Sequence, residues 1–131
     1  MKRVLLAFAV LAWMPSASVA ASPNLVGVWG GQHVGVAFQG GLAEVRFDCA
    51  AGSIDEPVYP AKDGSFTARG TFRAGASGPV KVGQIFRSQS ATYSGKVQKH
   101  VMTLSVELED GTSSGPFTLN ESAPPQLTRC L

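Results

Sequence analysis

Residues 66–73 read FTARGTFR, and the side chains of this stretch alternate in character. Phe66, Ala68, Gly70 and Phe72 share one face of an extended chain, and threonines and arginines occupy the other. A period of two is typical of a strand with one buried and one solvated face, as found in antiparallel sheets. The stretch therefore predicts a strand of an antiparallel sheet.

The same alternation recurs along the chain, for example in MTLSVELE at residues 102–109. From Asn24 onward no helical period is visible, and turn signals such as Gly40-Gly41, Asp63-Gly64 and Asp110-Gly111 separate the alternating stretches. The pattern predicts an all-β protein with strands near 25–30, 33–39, 42–49, 52–58, 65–73, 79–87, 90–98, 101–109, 115–121 and 126–131. Short sequential strands close most economically into a small antiparallel up-and-down β-barrel, with a two-sheet β-sandwich as the alternative.

The N-terminus has the order of a secretory signal peptide. Residues 1–3 read MKR, residues 4–14 are apolar, and small residues precede Ala20. We expect residues 1–20 to be a cleaved signal peptide, with cleavage after Ala20 or Ala21, and residues 21–131 to form one barrel domain. No cysteine stands directly after the cleavage site, where a lipid would be attached, so we expect a secreted or periplasmic protein with no membrane anchor.

Charge excludes one class of partner. The chain has 11 Lys and Arg against 9 Asp and Glu, and loss of Lys2 and Arg3 with the signal peptide leaves a formally neutral domain. The remaining basic residues are scattered singly, whereas nucleic-acid binding needs a concentrated basic field. Nucleic acid is therefore not an expected partner.

The two cysteines, Cys49 and Cys130, both lie in the expected mature domain. In an exported protein an even count predicts a disulfide, and a reactive Cys-x-x-Cys pair is absent. A cross-link over so long a loop stabilises a fold by about 4 kcal/mol in the chain-entropy model.

Two short motifs carry family resemblances. Gly27, Val28 and Trp29, together with Arg129, resemble the calycin pattern of lipocalins, fatty-acid-binding proteins and avidins. The resemblance implies an antiparallel barrel in which Trp29 packs at the closed end and Arg129 crosses it from a late strand. Residues 27–33 and 54–57, with the Cys-Leu end, are also similar to small exported bacterial proteins of no established function.

Aromatic and histidine residues are the candidates for ligand contact. Trp29 is expected mainly in the core, with a stacking platform for a ligand as the alternative. If a pocket exists in the barrel mouth, we expect Trp29, His33, Phe38 and Tyr93 to line it. His33 and His100 lack the spacing of a metal site, so no metal or other cofactor is expected.

Asp55 and Glu56 form the most distinctive acidic pair, directly before Pro57. Adjacent strand residues point to opposite faces, so the pair does not match two glycosidase carboxylates. One of them is expected to contact a partner from an exposed loop, to pair with Arg46, or to cap a turn. No catalytic residues are predicted, because no activated nucleophile or acid–base arrangement is visible.

These features lead to two hypotheses about function. The first is an exported, non-enzymatic β-barrel that binds a small molecule or a protein through its loops or mouth. The alternative is an inhibitor of a periplasmic or extracellular hydrolase, such as a protease or a lysozyme, acting through an exposed loop such as residues 55–57 or 75–78.

Overall fold

The computed structural model describes Ala12, residues 23–75 and residues 87–128. These residues contain eight strands and no helix: β1 (Gly27–Gly31), β2 (Val34–Gln39), β3 (Leu42–Phe47), β4 (Ala50–Ile54), β5 (Ser65–Ala74), β6 (Ser88–Gln98), β7 (Val101–Leu108) and β8 (Ser113–Glu121). No helix in this part of the chain is long and apolar enough to cross a bilayer. Apart from Ala12, the predicted signal peptide and both cleavage positions lie outside the described residues.

The sheet is a closed antiparallel barrel in sequence order. Each strand pairs with the next, and β8 returns to β1 with Trp29 opposite Glu121 and Gly31 opposite Leu119. The predicted up-and-down β-barrel is therefore confirmed. The two-sheet sandwich is wrong, because the pairing of the first strand with the last leaves no break at which two sheets could separate.

Alternation fills the interior of the barrel. Phe66 and Ala68 of β5 are buried, as are Met102, Leu104 and Val106 of β7, while the residues between them are exposed or half-buried. Burial of these side chains supplies the main favourable term for folding. The inward positions predicted from FTARGTFR and MTLSVELE are therefore confirmed.

The barrel has two ends, which we name by their connections. The upper end carries the β1–β2, β3–β4 and β7–β8 turns at residues 32–33, 48–49 and 109–112. The lower end carries residues 23–26, the β2–β3 turn at 40–41, the β4–β5 connection at 55–64 and the β6–β7 turn at 99–100. We call residues 55–64 the lower loop.

β7 ends one residue earlier than the alternation predicts, and β3 and β4 end earlier by two residues or more. β3 stops at Phe47 because Cys49 has a φ of 59°, which turns the chain into β4. β4 ends at Ile54. At the next position the Asp55 amide still donates to Arg69 O, but the Arg69 amide donates to a side chain, Glu56 Oε1, at 2.8 Å. The strand predicted at 79–87 falls, except for Arg87, outside the described residues.

The end of the described chain lies outside the barrel. We call residues 122–128 the C-terminal strap, because they run along the outer face of β1 and β2 from the lower to the upper end. The strap is fixed by hydrogen bonds from the Ser122 amide to Val28 O (2.7 Å) and from the Gln126 amide to Gly31 O (3.0 Å). Residues 126–128, predicted as part of a last barrel strand, instead form a single parallel bridge between Gln126 and Gln32.

Candidate ligand-binding site

Three phenylalanines meet at the upper end of the barrel. Phe47 and Phe72 occupy inward positions near the upper ends of β3 and β5, Phe117 is an inward residue in the middle of β8, and all three are half-buried against the core. The Phe47 ring centroid lies 5.5 Å from that of Phe72 and 5.7 Å from that of Phe117, with tilted planes. These distances are those of favourable aromatic pairs, so the three rings form one apolar platform.

A depression of about 370 Å³ lies over this platform. We call it the upper depression, and it is lined by His33, Phe47, Asp48, Phe72, Ser114 and Phe117. Its floor is aromatic, and its polar groups are His33 and Asp48 from two turns and Ser114 from the start of β8. Its volume falls within the range of about 300–1,000 Å³ that is typical of small-molecule sites.

The polar edge of the upper depression is a fixed pair. His33 has a φ of 72°, a turn conformation, and its Nδ1 atom contacts Asp48 Oδ2. The other carboxylate oxygen, Asp48 Oδ1, accepts a hydrogen bond from the Thr128 amide at 2.6 Å. Asp48 thus joins the β1–β2 turn to the C-terminal strap.

These contacts set the ionisation of Asp48. The hydrogen bond from the Thr128 amide, together with the His33 side chain, holds the pKa of the Asp48 carboxyl below its usual range. Asp48 is therefore a carboxylate at neutral pH. Because both of its oxygens already have partners in the protein, the carboxylate positions His33 at the edge of the depression.

The other predicted ligand residues lie in the packed interior. Trp29, Phe38 and Tyr93 are 3%, 8% and 0% exposed. Trp29 Nε1 donates to Val26 O at 3.4 Å, and Tyr93 Oη donates to Thr71 O at 2.7 Å. Of the four residues predicted to line a pocket, the upper depression includes His33.

The phenylalanine platform is absent from the sequence-based candidates, although a signal for it exists. In an up-and-down barrel, the ends of odd-numbered strands and the beginnings of even-numbered strands share one end. Phe47 and Phe72 are inward positions near the ends of β3 and β5, and Phe117 is an inward position of β8 just before Leu119, which pairs with Gly31 at the upper end of β1. Their convergence follows from the strand order together with the parity.

The acidic pair Asp55 and Glu56 lies in the lower loop, at the opposite end. The Asp55 amide donates to Arg69 O at 2.9 Å, and the Glu56 carboxylate accepts the Arg69 amide described above. Asp55 Oδ1 accepts a hydrogen bond from Ser53 Oγ at 2.7 Å. The suggested pairing with Arg46 is wrong, because Arg46 Nε lies 3.4 Å from Glu44 Oε1 instead.

Two further expectations concern the C-terminal residues. Arg129 and Cys130 lie outside the described residues, so the Trp29–Arg129 contact and the Cys49–Cys130 disulfide stay predictions. Thr128, two residues before Cys130, is hydrogen-bonded to Asp48, which is adjacent to Cys49. The last described residue therefore lies beside the turn that holds Cys49.

The second histidine makes a separate contact at the lower end. His100 Nδ1 lies 2.7 Å from Glu121 Oε2, and both side chains are exposed. Within the described ranges, no three His, Cys, Asp or Glu side chains are grouped as a metal site requires.

Comparisons with protein-family models, with curated proteins and with solved structures find no match.

Proposed function

We propose that the chain is an exported, non-enzymatic barrel protein that binds a small molecule at its upper end, with an apolar or mixed ligand resting on the phenylalanine platform. The observation that carries the proposal is the junction of Phe47, Phe72 and Phe117 with the His33–Asp48 pair in one depression. An apolar floor with a few fixed polar groups is the usual composition of a small-molecule site.

The fixed geometry of the site favours binding. Antiparallel strands of a closed sheet hold the three rings, and hydrogen bonds to Asp48 hold the rim. A site that is ordered before the ligand arrives loses less conformational entropy on binding. The export part of the proposal rests on the N-terminal sequence and on the expected disulfide. The calycin resemblance fits a barrel of this function.

Binding explains the upper depression better than catalysis does. The His33–Asp48 contact has the orientation of a catalytic His–Asp pair, in which a carboxylate contacts Nδ1. Ser114 lines the same depression, but no hydrogen bond joins it to His33 in the described structure. Without such a contact the hydroxyl is not activated as a nucleophile.

The direct test is titration of the purified protein with N-phenyl-1-naphthylamine, a neutral aromatic fluorophore that brightens in apolar surroundings. We expect saturable binding. The affinity should weaken about 10-fold in Phe117→Ala, because one of the three rings of the platform is lost. Tyr59→Ala, which removes an exposed aromatic side chain at the lower end, is the matched control and should bind as the unaltered protein does. Equal affinity of Phe117→Ala and Tyr59→Ala, with circular dichroism showing both folded, rejects the proposal.

The second candidate function is inhibition of a periplasmic or extracellular hydrolase through the lower loop. It is supported by the hydrogen bonds that fix Asp55 and Glu56 to Arg69, because a preordered loop is suited to tight insertion. Residual activity of a panel of proteases and lysozymes, measured at increasing protein concentration, tests it. Inhibition that is lost in a lower-loop variant supports this function, and an unaffected panel contradicts it.

A further inference from the structure

Exposed apolar side chains concentrate at the lower end of the barrel. Val26, Leu42 and Tyr59 are 65%, 55% and 60% exposed. Single exposed apolar residues are ordinary on protein surfaces, whereas neighbouring ones mark interaction sites. The position of these three relative to one another is therefore informative.

The three segments that carry these residues are in contact. The Leu25 amide donates to Val58 O at 2.8 Å. Leu25 directly precedes Val26, and Val58 directly precedes Tyr59. At the β2–β3 turn, a Cβ atom placed on Gly41 would lie 3.3 Å from Pro57 Cγ, so the residue before Leu42 packs on the lower loop. Val26, Leu42 and Tyr59 thus project from adjoining segments.

The lower loop is held firmly on both sides of Tyr59. Before it, Val58 is buried in the core, and Asp55 and Glu56 are hydrogen-bonded to Arg69. After it, the Ala61 amide donates to Ser65 O at 2.9 Å. Tyrosine on a rigid frame supplies a large contact area at a small entropic cost, which is typical of interface hot spots.

An outer groove of about 300 Å³ adjoins this cluster. Leu42 and Asp55 both line it, together with Ala37, Gln39, Ala43, Glu44, Ser53 and Ile54. The charged side chains of its lining, Glu44 and Asp55, are both carboxylates. Glu44 has a loose exposed pair with Arg46, and Asp55 takes part in no ion pair among the described residues.

We infer that Val26, Leu42, Asp55 and Tyr59 form a docking surface for a protein that presents an arginine or lysine side chain beside apolar ones. The cation would enter the outer groove next to Asp55, and the apolar side chains would cover Leu42 and Tyr59. Charge complementarity of this kind selects partners and registers them. Glu56 has a structural role here, because its carboxylate is already bonded to the Arg69 amide.

The inference rests on the loop used by the second candidate function and specifies the partner chemistry of that loop. It extends beyond inhibition, because the docking surface requires a basic and apolar partner whether or not that partner is a hydrolase. The two claims therefore fail separately. Peptide binding without inhibition of any hydrolase retains the docking surface and rejects the inhibitor function.

The test uses ¹⁵N-labelled protein and two synthetic peptides, acetyl-Leu-Arg-Trp-Leu-amide and its counterpart with glutamate in place of arginine. Addition of the arginine peptide is expected to shift the amide signals of Leu42, Asp55 and Tyr59. The affinity should fall about 3-fold in Asp55→Asn, as for loss of an exposed ion pair, and about 10-fold in Tyr59→Ser. Glu107→Gln, an exposed carboxylate on the outer face of β7, is the matched control and should bind unchanged.

Three results would overturn the docking surface. They are equal binding of the arginine and glutamate peptides, equal binding by Asp55→Asn and Glu107→Gln, and signal shifts confined to the upper end around Phe117. Added salt provides a second readout. Screening should weaken the binding of the arginine peptide more than the binding of an uncharged peptide of the same length.

Discussion

The Tyr93 side chain occupies the interior beside three strands. It extends from β6 past β5, where its hydroxyl donates to Thr71 O, as far as Gly52 of β4. A Cβ atom at Gly52 would collide with the Tyr93 hydroxyl, so the small residue makes room for the large one. Burial, with a smaller contribution from the charge of Asp55, raises the pKa of Tyr93, so the hydroxyl is neutral.

Removal of the Tyr93 hydroxyl should therefore destabilise the fold without disturbing its packing. We expect Tyr93→Phe to lower the free energy of unfolding by about 1 kcal/mol, the usual net value of a hydrogen bond to a partly buried group. Tyr59→Phe alters an exposed tyrosine in the same way and should change stability by less than about 0.5 kcal/mol. Urea denaturation followed by circular dichroism measures both, and equal effects would contradict the role given to Tyr93.

Asp48 makes the upper end sensitive to acid. Its pKa is lower in the folded chain, mainly because of the Thr128 amide and secondarily because of His33. A lowered carboxyl pKa contributes stability above the unfolded value of about 3.9, and that stability is lost as pH falls through the folded value. The direction of the shift thus predicts an Asp48-dependent loss of stability in acid.

The corresponding measurement compares the unaltered protein with Asp48→Asn by urea denaturation between pH 2 and 6. The unaltered protein should be the more stable at pH 6, and the two curves should converge below about pH 4. Thr128→Pro removes the amide donor and leaves the Asp48 carboxyl in place. The free energy of unfolding of this variant should therefore fall less between pH 6 and pH 2 than that of the unaltered protein. A difference that is constant with pH would show that the Asp48 contacts do not depend on its charge.

Among the elements, the C-terminal strap depends most clearly on small residues. Gly35 faces outward from β2 beneath Pro125, and a Cβ atom there would lie 2.5 Å from Pro125 Cβ. A Cβ atom at Gly30 would likewise lie 2.3 Å from Ala123 O in the backbone of the strap. Two outward glycines therefore allow the strap to lie directly on the sheet.

A double-mutant cycle tests this contact. Gly35→Ala alone should destabilise the protein by about 1–3 kcal/mol through overpacking, and Pro125→Gly should recover part of that loss by removing the opposing side-chain atoms. The coupling is measured from urea midpoints of the two single variants and the double variant. Costs that simply add would mean that Pro125 does not rest on Gly35.

The elements also show what can be inferred from sequence. Strand parity in β5 and β7 is predictable because burial of one face imposes a local period of two on the residues themselves. The lower loop and the strap are not predictable in this way. The role of Glu56 depends on the Arg69 amide, 13 residues along the chain, and the role of Gly35 depends on Pro125. Such contacts leave no periodic signal.

The candidate site was predictable to the same limited degree. The sequence predicts His33, just after Gly30-Gly31-Gln32, among the residues that line a barrel mouth, and in the structure it lies beside the phenylalanines. Their parity was readable in sequence, but the meeting of β3, β5 and β8 at one end depends on closure of the sheet. Trp29, Phe38 and Tyr93 have the same aromatic character, and their depth in the barrel distinguishes them from the platform.

At the scale of the whole molecule, the strap brings the end of the described chain to the upper end. The predicted Cys49–Cys130 disulfide would fix it there and close a loop over residues 49–130. Reduction should then lower the free energy of unfolding by about 4 kcal/mol. Urea unfolding with and without reductant measures this, with Cys130→Ser as the matched variant; a reductant effect that persists in Cys130→Ser would contradict the pairing.

The two ends of the barrel offer different chemistry on one rigid frame. The upper end combines aromatic rings with a fixed histidine, and the lower end combines exposed apolar residues with a carboxylate. A closed sheet exposes no strand edge for pairing, so the surfaces open to a ligand or partner are the ends, the connections and the outer face. Small-molecule binding at the upper end is the central claim for this protein.

That claim is tested most directly by nuclear Overhauser effects between bound N-phenyl-1-naphthylamine and the aromatic protons of the labelled protein. Contacts from the probe to the rings of Phe47, Phe72 and Phe117 are the predicted result. Contacts to Tyr59 at the lower end instead, or a saturated probe without contacts to the three phenylalanines, would contradict it.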